Sequence, residues 1–216
     1  MLKYAFFDLD GTLSDSSKGI IKAIKYALSN FDVFIGDESF LKRYIGAPLV
    51  DCFMEFNGFS EEQAKCALKH YRDYYLTVGR FDNCLFDGIK EVLTLLNERG
   101  VKCVIATSKP TDFIGNDIEY LRLNKYLYKA FGATLDATRR KKSDIIRYGL
   151  NELNAKKEEC VMVGDHHNDV IGAKENNIKS IAVTYGYGVR EELIKFAPDY
   201  VADSVNQLKN ILLGLL

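Results

Sequence analysis

The 216-residue sequence predicts an α/β protein, a Rossmann-like doubly wound parallel sheet that carries an inserted α-helical domain. Three observations predict it. Short, nearly continuous apolar runs recur through the second half of the chain, amphipathic helical patterns separate them, and the interval from about Ser16 to Phe81 departs from that alternation. Apolar runs without polar alternation mark strands covered on both faces, and strands alternating with helices are how a parallel sheet is wound.

The first run lies in "YAFFDLDGTLSDS", from Tyr4 to Ser16, a strand that breaks into Asp8, Asp10, Gly11 and Thr12. Ile20, Ile21, Ile24, Ala27 and Leu28 then recur at helical spacing. A second helix is expected from an N-cap at Ser60, with Glu62 and Gln63 in its first turn; its Tyr71, Tyr74 and Tyr75 read as packing residues. No strand is expected between these helices, and "TVGRFDN" reads as the returning linker. The helical domain is therefore placed at 16–81 and the α/β domain at 1–15 and 82–216. Within the latter, Ile89, Val92, Leu93 and Leu96 share one face of a helix over 88–98 that stops before Gly100. Strands follow at 102–107, 129–134, 160–165, 179–184 and 199–203, with helices at 143–153 and 168–176. The closing "ILLGLL" is far short of the ~18 apolar residues a membrane span needs and reads as the end of a packed helix.

Charge and cysteine usage narrow the class. Lys and Arg number 29 against 30 Asp and Glu, so no global field draws the chain to nucleic acid or to a membrane surface. Its 5 cysteines, Cys52, Cys66, Cys84, Cys103 and Cys160, are scattered without a C-x-x-C pair. With no secretory pattern at the N-terminus, they imply a reducing, cytoplasmic setting and not a disulfide framework.

In open α/β sheets ligands bind at the carboxyl ends of the strands, and the polar residues of this chain gather there. The first strand ends in Asp8 and Asp10, the 102–107 run in Thr107 and Ser108, and the 160–165 run in Asp165, with Asp169 beyond it. Lys141 and Lys142 lie in the loop after 129–134. Residues i and i+2 of a strand point the same way, so Asp8 and Asp10 are expected to face one cleft. Two bare carboxylates there would repel until one protonates, and a hard cation such as Mg²⁺ beside a phosphate relieves this. A carboxylate can attack phosphorus, and a lysine neutralises charge on the transferred group. Gly11 allows a tight backbone turn beside the ligand.

These residues, in this order, resemble the haloacid dehalogenase-like superfamily of phosphohydrolases over nearly the whole chain. "DLDGTL", Thr107 after a strand, a lysine before a helix and "VGDHHND" match its four motifs, and the helical insertion matches its four-helix type of cap. "YIGAPL", "ATSKP" and "VTYGYG" followed by "PDYVADS" are most similar to the phosphoglycolate phosphatase and 5'-nucleotidase-like branch. The resemblance implies that Asp8 is the nucleophile, with its other oxygen on Mg²⁺. It implies that Asp10 protonates the leaving alkoxide and then activates water, its backbone carbonyl on the metal. Thr107 and the N–H groups near Leu9 and Ser108 would hold the phosphoryl oxygens, and Asp165 and Asp169 the metal. The third motif lacks the family's common Lys-Pro, so Lys141 and Lys142 compete; Lys142, directly before "SDIIRYGL", is preferred, with Arg139 a further phosphate-binding candidate. Arg43, with Lys42 and the "YIGAP" turn, is the cap's candidate for substrate contact.

The implied substrate is a small phosphorylated metabolite: phosphoglycolate, a nucleoside monophosphate or a sugar phosphate. A sugar phosphomutase keeps both aspartates and is the nearest enzymatic alternative, whereas a haloalkanoate dehalogenase does not use the second. A non-catalytic phosphate-binding module would be expected to lose the nucleophile or the metal carboxylates, all of which are present. The pair His166–His167 suggests zinc or a two-manganese site, but such sites need more histidines than His70, which lies in the helical insertion. These two read as loop residues near the site.

Overall fold

The computed structural model describes residues 1–36, 38–46, 48–136 and 138–216, so Ala47 of the "YIGAP" turn lies outside the described residues. They fall into two compact units, Met1–Ser14 with Leu85–Leu216, and Asp15–Cys84. Along the chain, β1 (Tyr4–Phe7) and β2 (Ser14–Asp15) come first. The helical unit follows with α1 (Ser17–Ser29), a 3-10 segment at Glu38–Tyr44, α2 (Leu49–Asn57) and α3 (Glu61–Thr77). β3 (Cys84–Leu85) pairs with β2 in a small sheet where the chain passes back. The rest alternates: α4 (Ile89–Glu98), β4 (Lys102–Pro110), α5 (Thr111–Tyr120), β5 (Lys129–Ala133), α6 (Lys142–Glu152), β6 (Cys160–Gly164) and α7 (His167–Glu175). β7 (Lys179–Val183), α8 (Arg190–Lys195), β8 (Tyr200–Ala202) and α9 (Val205–Gly214) complete it. No helix of the described residues is long and apolar enough to cross a membrane.

The α/β unit is a six-stranded parallel sheet in the order β5-β4-β1-β6-β7-β8. Side-chain alternation explains why its strands are apolar throughout. Ala5 and Phe7 of β1 enter a core with Ile89, Leu93 and Leu96 of α4 and Leu208 and Leu212 of α9. Phe6 turns to the opposite core with Ile145, Ile146 and Leu150 of α6 and Ala173 of α7. With helices on both faces neither side of the sheet meets water, so no polar alternation is needed. β1 lies centrally between β4 and β6, at the point where the strand order reverses, and this is where an open sheet opens a crevice.

In the helical unit α1 buries Ile20, Ile21, Ile24, Ala27 and Leu28. At the start of α3 the Ser60 hydroxyl accepts from the Gln63 N–H at 3.2 Å, and the Gln63 side chain accepts from the Ser60 N–H at 2.9 Å. This reciprocal cap fixes where the helix begins. Rings fill the spaces between helices: Tyr26 stacks on Tyr74 (5.0 Å between centroids), Phe31 meets Phe59 (4.7 Å) and Tyr44 meets Phe56 (5.1 Å). Tyr71 and Tyr75 stack on each other, so the tyrosines of α3 pack as expected.

Some boundaries differ from the sequence expectation. β1 closes at Phe7, before the aspartates, while β4 runs on to Pro110 with an irregular register between Ala106 and Pro110. α2 and α5 go unread in the sequence because each follows a proline, Pro48 and Pro110, and has no side-chain cap to announce it.

Candidate active site

The carboxyl ends of β1, β4 and β6 bring the site together. Asp8 follows β1 directly, and its N–H donates to the Val163 carbonyl of β6 at 2.9 Å, extending the ladder one residue past the strand. Its side chain turns back to accept from the Leu9 N–H at 2.8 Å. Asp165 follows β6, and Asp169 lies in the first turn of α7. Asp8, Asp165 and Asp169, all buried, each offer one carboxylate oxygen within 4.8 Å of the others, the one such group of possible metal ligands among the described residues.

Two glycines make room for this crowding. Gly11 takes φ +84°, a left-handed turn, and a Cβ there would lie 2.2 Å from an Asp165 oxygen. At Gly164 a Cβ would lie 2.1 Å from an Asp169 oxygen. Asp165 is further held by the Thr12 hydroxyl at 3.0 Å and the Tyr187 N–H at 2.8 Å, while the Tyr185 hydroxyl donates to the Thr12 carbonyl at 3.0 Å. Neither Thr12 nor Tyr187 is among the candidate site residues read from the sequence. Their only signals there are positions beside Gly11 and within "TYGYG".

A single ammonium stands among the three acids. Lys142, the first residue of α6, is buried with Nζ 3.0 Å from Asp8, 2.7 Å from Asp169 and 3.0 Å from the Ala106 carbonyl. Burial alone would push its pKa down, but the carboxylates of Asp169 and Asp8 outweigh it and hold the ammonium charged. The acids are less well matched. Burial raises Asp8, helped by the Asp169 charge and opposed by Lys142. Burial, then the charges of Asp8 and Asp169, push Asp165 up to about 8. Asp169 Oδ1 is buried without an aligned hydrogen bond despite its closeness to Lys142. With all three ionised, the carboxylates against one ammonium leave two negative charges unbalanced, and the donors are all oxygen. Such a set fits a hard divalent cation.

The other sequence-selected residues are distributed as follows. Thr107 is buried in β4, beside the Asp8 carboxyl, and its hydroxyl works to lower the Asp8 pKa. Ser108 comes next in the strand, half-buried, and Leu9 is fully buried. Asp10 does not join the three acids through its side chain; it pairs with Lys109, Nζ to Oδ2 at 2.9 Å. Because β1 stops at Phe7, strand alternation does not govern residues 8 to 10. Lys141 is exposed and caps α6, so of the two candidate lysines only Lys142 reaches the acids. Arg139 is turned elsewhere, its Nε donating to the Gly132 carbonyl at 2.9 Å and its guanidinium 4.0 Å over the Tyr148 ring. In the helical unit Arg43 places its guanidinium over the Phe56 and Phe40 rings at 4.4 and 5.2 Å. His166 caps α7: its Nδ1 accepts from the Asn168 N–H at 3.3 Å, and its own N–H donates to Asp169 at 3.1 Å. Burial and the neighbouring His167 push its pKa down to about 4, so the ring is a neutral acceptor. His167 stacks on Phe196.

Comparison with known proteins shows what the whole chain is similar to. The model of the haloacid dehalogenase-like hydrolase family matches residues 5–183. A 5'-nucleotidase of Pseudomonas aeruginosa is 36% identical over 206 residues, spanning 95% of this chain and 93% of that protein. A phosphoglycolate phosphatase of Colwellia psychrerythraea is 28% identical over 210 residues, spanning 94% and 93%. Among solved structures, that of a predicted phosphatase from Clostridium acetobutylicum matches with a TM-score of 0.95 and 43% identity over 99% of both chains.

Proposed function

We propose, for a chain that belongs to the haloacid dehalogenase-like hydrolase family and is a phosphatase of it, that Asp8 attacks a small phosphomonoester with the help of Mg²⁺. The observation that carries this is the buried group Asp8, Asp165 and Asp169 around the single ammonium of Lys142. The carboxylates of Asp8, Asp165 and Asp169 and the backbone carbonyl of Asp10 would hold the cation, which when bound supplies the missing positive charge beside the phosphoryl group.

This chain's own residues do the rest. An Asp8 oxygen attacks phosphorus as the bond to the leaving oxygen breaks, and Asp10 gives that oxygen its proton. Water then attacks the aspartyl-phosphate, Asp10 takes the proton back, and orthophosphate leaves with the Asp8 carboxylate restored. Lys142 keeps Asp8 in place and adds positive charge where the transferred group gathers negative charge. The Thr107 hydroxyl and the Leu9 and Ser108 N–H groups supply hydrogen bonds to phosphoryl oxygens.

Two substrate classes are to be separated, phosphoglycolate-like small acids and nucleoside 5'-monophosphates. The higher identity to the protein named 5'-nucleotidase, 36% against 28%, favours nucleotides. The test is orthophosphate release from phosphoglycolate, nucleoside 5'-monophosphates and hexose phosphates, each with Mg²⁺ and with EDTA. Metal-dependent release concentrated on one class is expected. Release that survives EDTA would overturn the metal assignment, and no release from any member would overturn the substrate assignment.

A further inference from the structure

One buried ion pair beside the site has no part in the chemistry above. Lys109, next to last in β4 and just before α5, spans both oxygens of Asp10, its Nζ at 2.9 Å from Oδ2 and 3.1 Å from Oδ1. The same ammonium pairs with Asp117, which α5 carries on its buried side with Ile114 one turn earlier. The side chains of Lys109 and Asp117 are 9% and 3% exposed. The N–H of Lys109 donates to the Thr107 hydroxyl at 3.3 Å, tying this strand end to a residue that lowers the Asp8 pKa.

A carboxylate on the inner face of a helix is costly. Its desolvation amounts to several kcal/mol, and an apolar side chain of similar size would pack there as well or better. Asp117 therefore contributes little to the fold that a leucine would not. What it does is hold an ammonium against Asp10, whose side chain is 15% exposed and would otherwise be free to rotate at the end of a turn.

We propose that Lys109, anchored by Asp117, is the positioning residue for Asp10: it fixes the plane of that carboxylate so that one oxygen stays aimed at the proton it moves. This rests on the assignment of Asp10 as the proton carrier. The water step needs Asp10 to take a proton whatever the substrate, whereas the first step needs its proton only when the leaving group is a poor one. Loss of Lys109 should therefore slow hydrolysis of the aspartyl-phosphate for every substrate, and slow its formation only from alkyl phosphates.

Stopped-flow turnover of p-nitrophenyl phosphate, compared with steady-state turnover of ethyl phosphate, reads this directly. For Lys109→Met a burst of about one nitrophenolate per enzyme is expected, with steady-state turnover reduced roughly 10- to 10²-fold and phosphoenzyme trapped on Asp8. Ethyl phosphate should lose more and show no burst. Lys109→Arg, which can still span both oxygens, should recover most of the rate, and Asp117→Asn should show the burst more weakly. If Lys109→Met fails to fold, Asp117→Asn, nearly isosteric, carries the test alone. An unchanged ratio of aryl to alkyl turnover without phosphoenzyme would overturn the proposal. Asp10→Asn separates the two claims. If it alters that ratio while the Lys109 and Asp117 variants do not, only the positioning role falls; if it leaves the ratio unchanged, the assignment of Asp10 falls and the positioning role with it.

Discussion

Both units of this chain carry exposed ion pairs, but among the described residues only the α/β unit also buries charge. Every charged residue that is buried among the described residues, Asp8, Asp117, Lys142, Asp165 and Asp169, belongs to the α/β unit. The ion pairs of the helical unit lie outside: Lys65–Glu61 has side chains 63% and 66% exposed, and Lys25–Glu38 is similar. Exposed pairs contribute about 0–1 kcal/mol, whereas charges taken out of water cost several kcal/mol each and are retained where their chemistry is used. The difference separates a unit whose ion pairs face water from one that also holds charged groups out of it.

The sharpest way to break that contrast is Asp8→Asn. The change is nearly isosteric and removes only the attacking anion, so turnover should fall by about 10³-fold or more while the circular dichroism spectrum is unchanged. Near-normal turnover would mean that the buried acids are structural. Next in size, Lys142→Met should cost about 10²–10³-fold in kcat, as for removal of one group stabilising the transition state, while Lys141→Met stays close to the parent. The reverse order would transfer the role to the exposed neighbour.

Smaller effects follow from the charge imbalance. Mg²⁺ should stabilise the fold through mass action, by about 2.7 kcal/mol when it is present at ~100 times its dissociation constant, read as a rise in melting temperature. Asp165→Asn should abolish most of that gain. In EDTA the pH dependence has a fixed sign. Asp165 is held up to about 8 by burial and then by Asp8 and Asp169, so between about pH 4 and 8 the folded chain binds a proton that the unfolded chain has lost. Its contribution is complete below the unfolded pKa and disappears as pH rises through 8, so the melting temperature should fall across that window and the slope should flatten once Mg²⁺ replaces the proton. The smallest effect lies on the helical unit: Lys25→Ala or Glu61→Ala should change stability by less than about 1 kcal/mol, measured by urea denaturation.

The contrast also explains what could be read in the sequence. Elements specified by local periodicity were legible: β6 and β7 as apolar runs, α4 from Ile89, Val92, Leu93 and Leu96, and the start of α3 from Ser60 and Gln63. Acids at strand ends were legible because the strands that end there are. Lys109 was not, since its meaning depends on Asp10, 99 residues away. One local trace existed: Asp117 stands one helical turn after Ile114, on the face α5 buries. A charge on an apolar face asks for a partner, and that question finds Lys109. For Arg139 the sequence could not show the Gly132 carbonyl and the Tyr148 ring that its guanidinium meets, because only packing brings them together.

The short pairing of β2 with β3 has a consequence for how such a chain can change. Between them the chain leaves at Asp15 and returns at Cys84, and the two strands are hydrogen-bonded to each other. Closing a loop costs only ~0.6 kcal/mol more for each doubling of its length, so once its ends are clasped the sheet is nearly indifferent to what lies between them. The helical segment is in that sense a cassette. It can be lengthened, trimmed or exchanged over generations, with new recognition surfaces arriving through it, while the six strands and the acids at their ends are inherited intact.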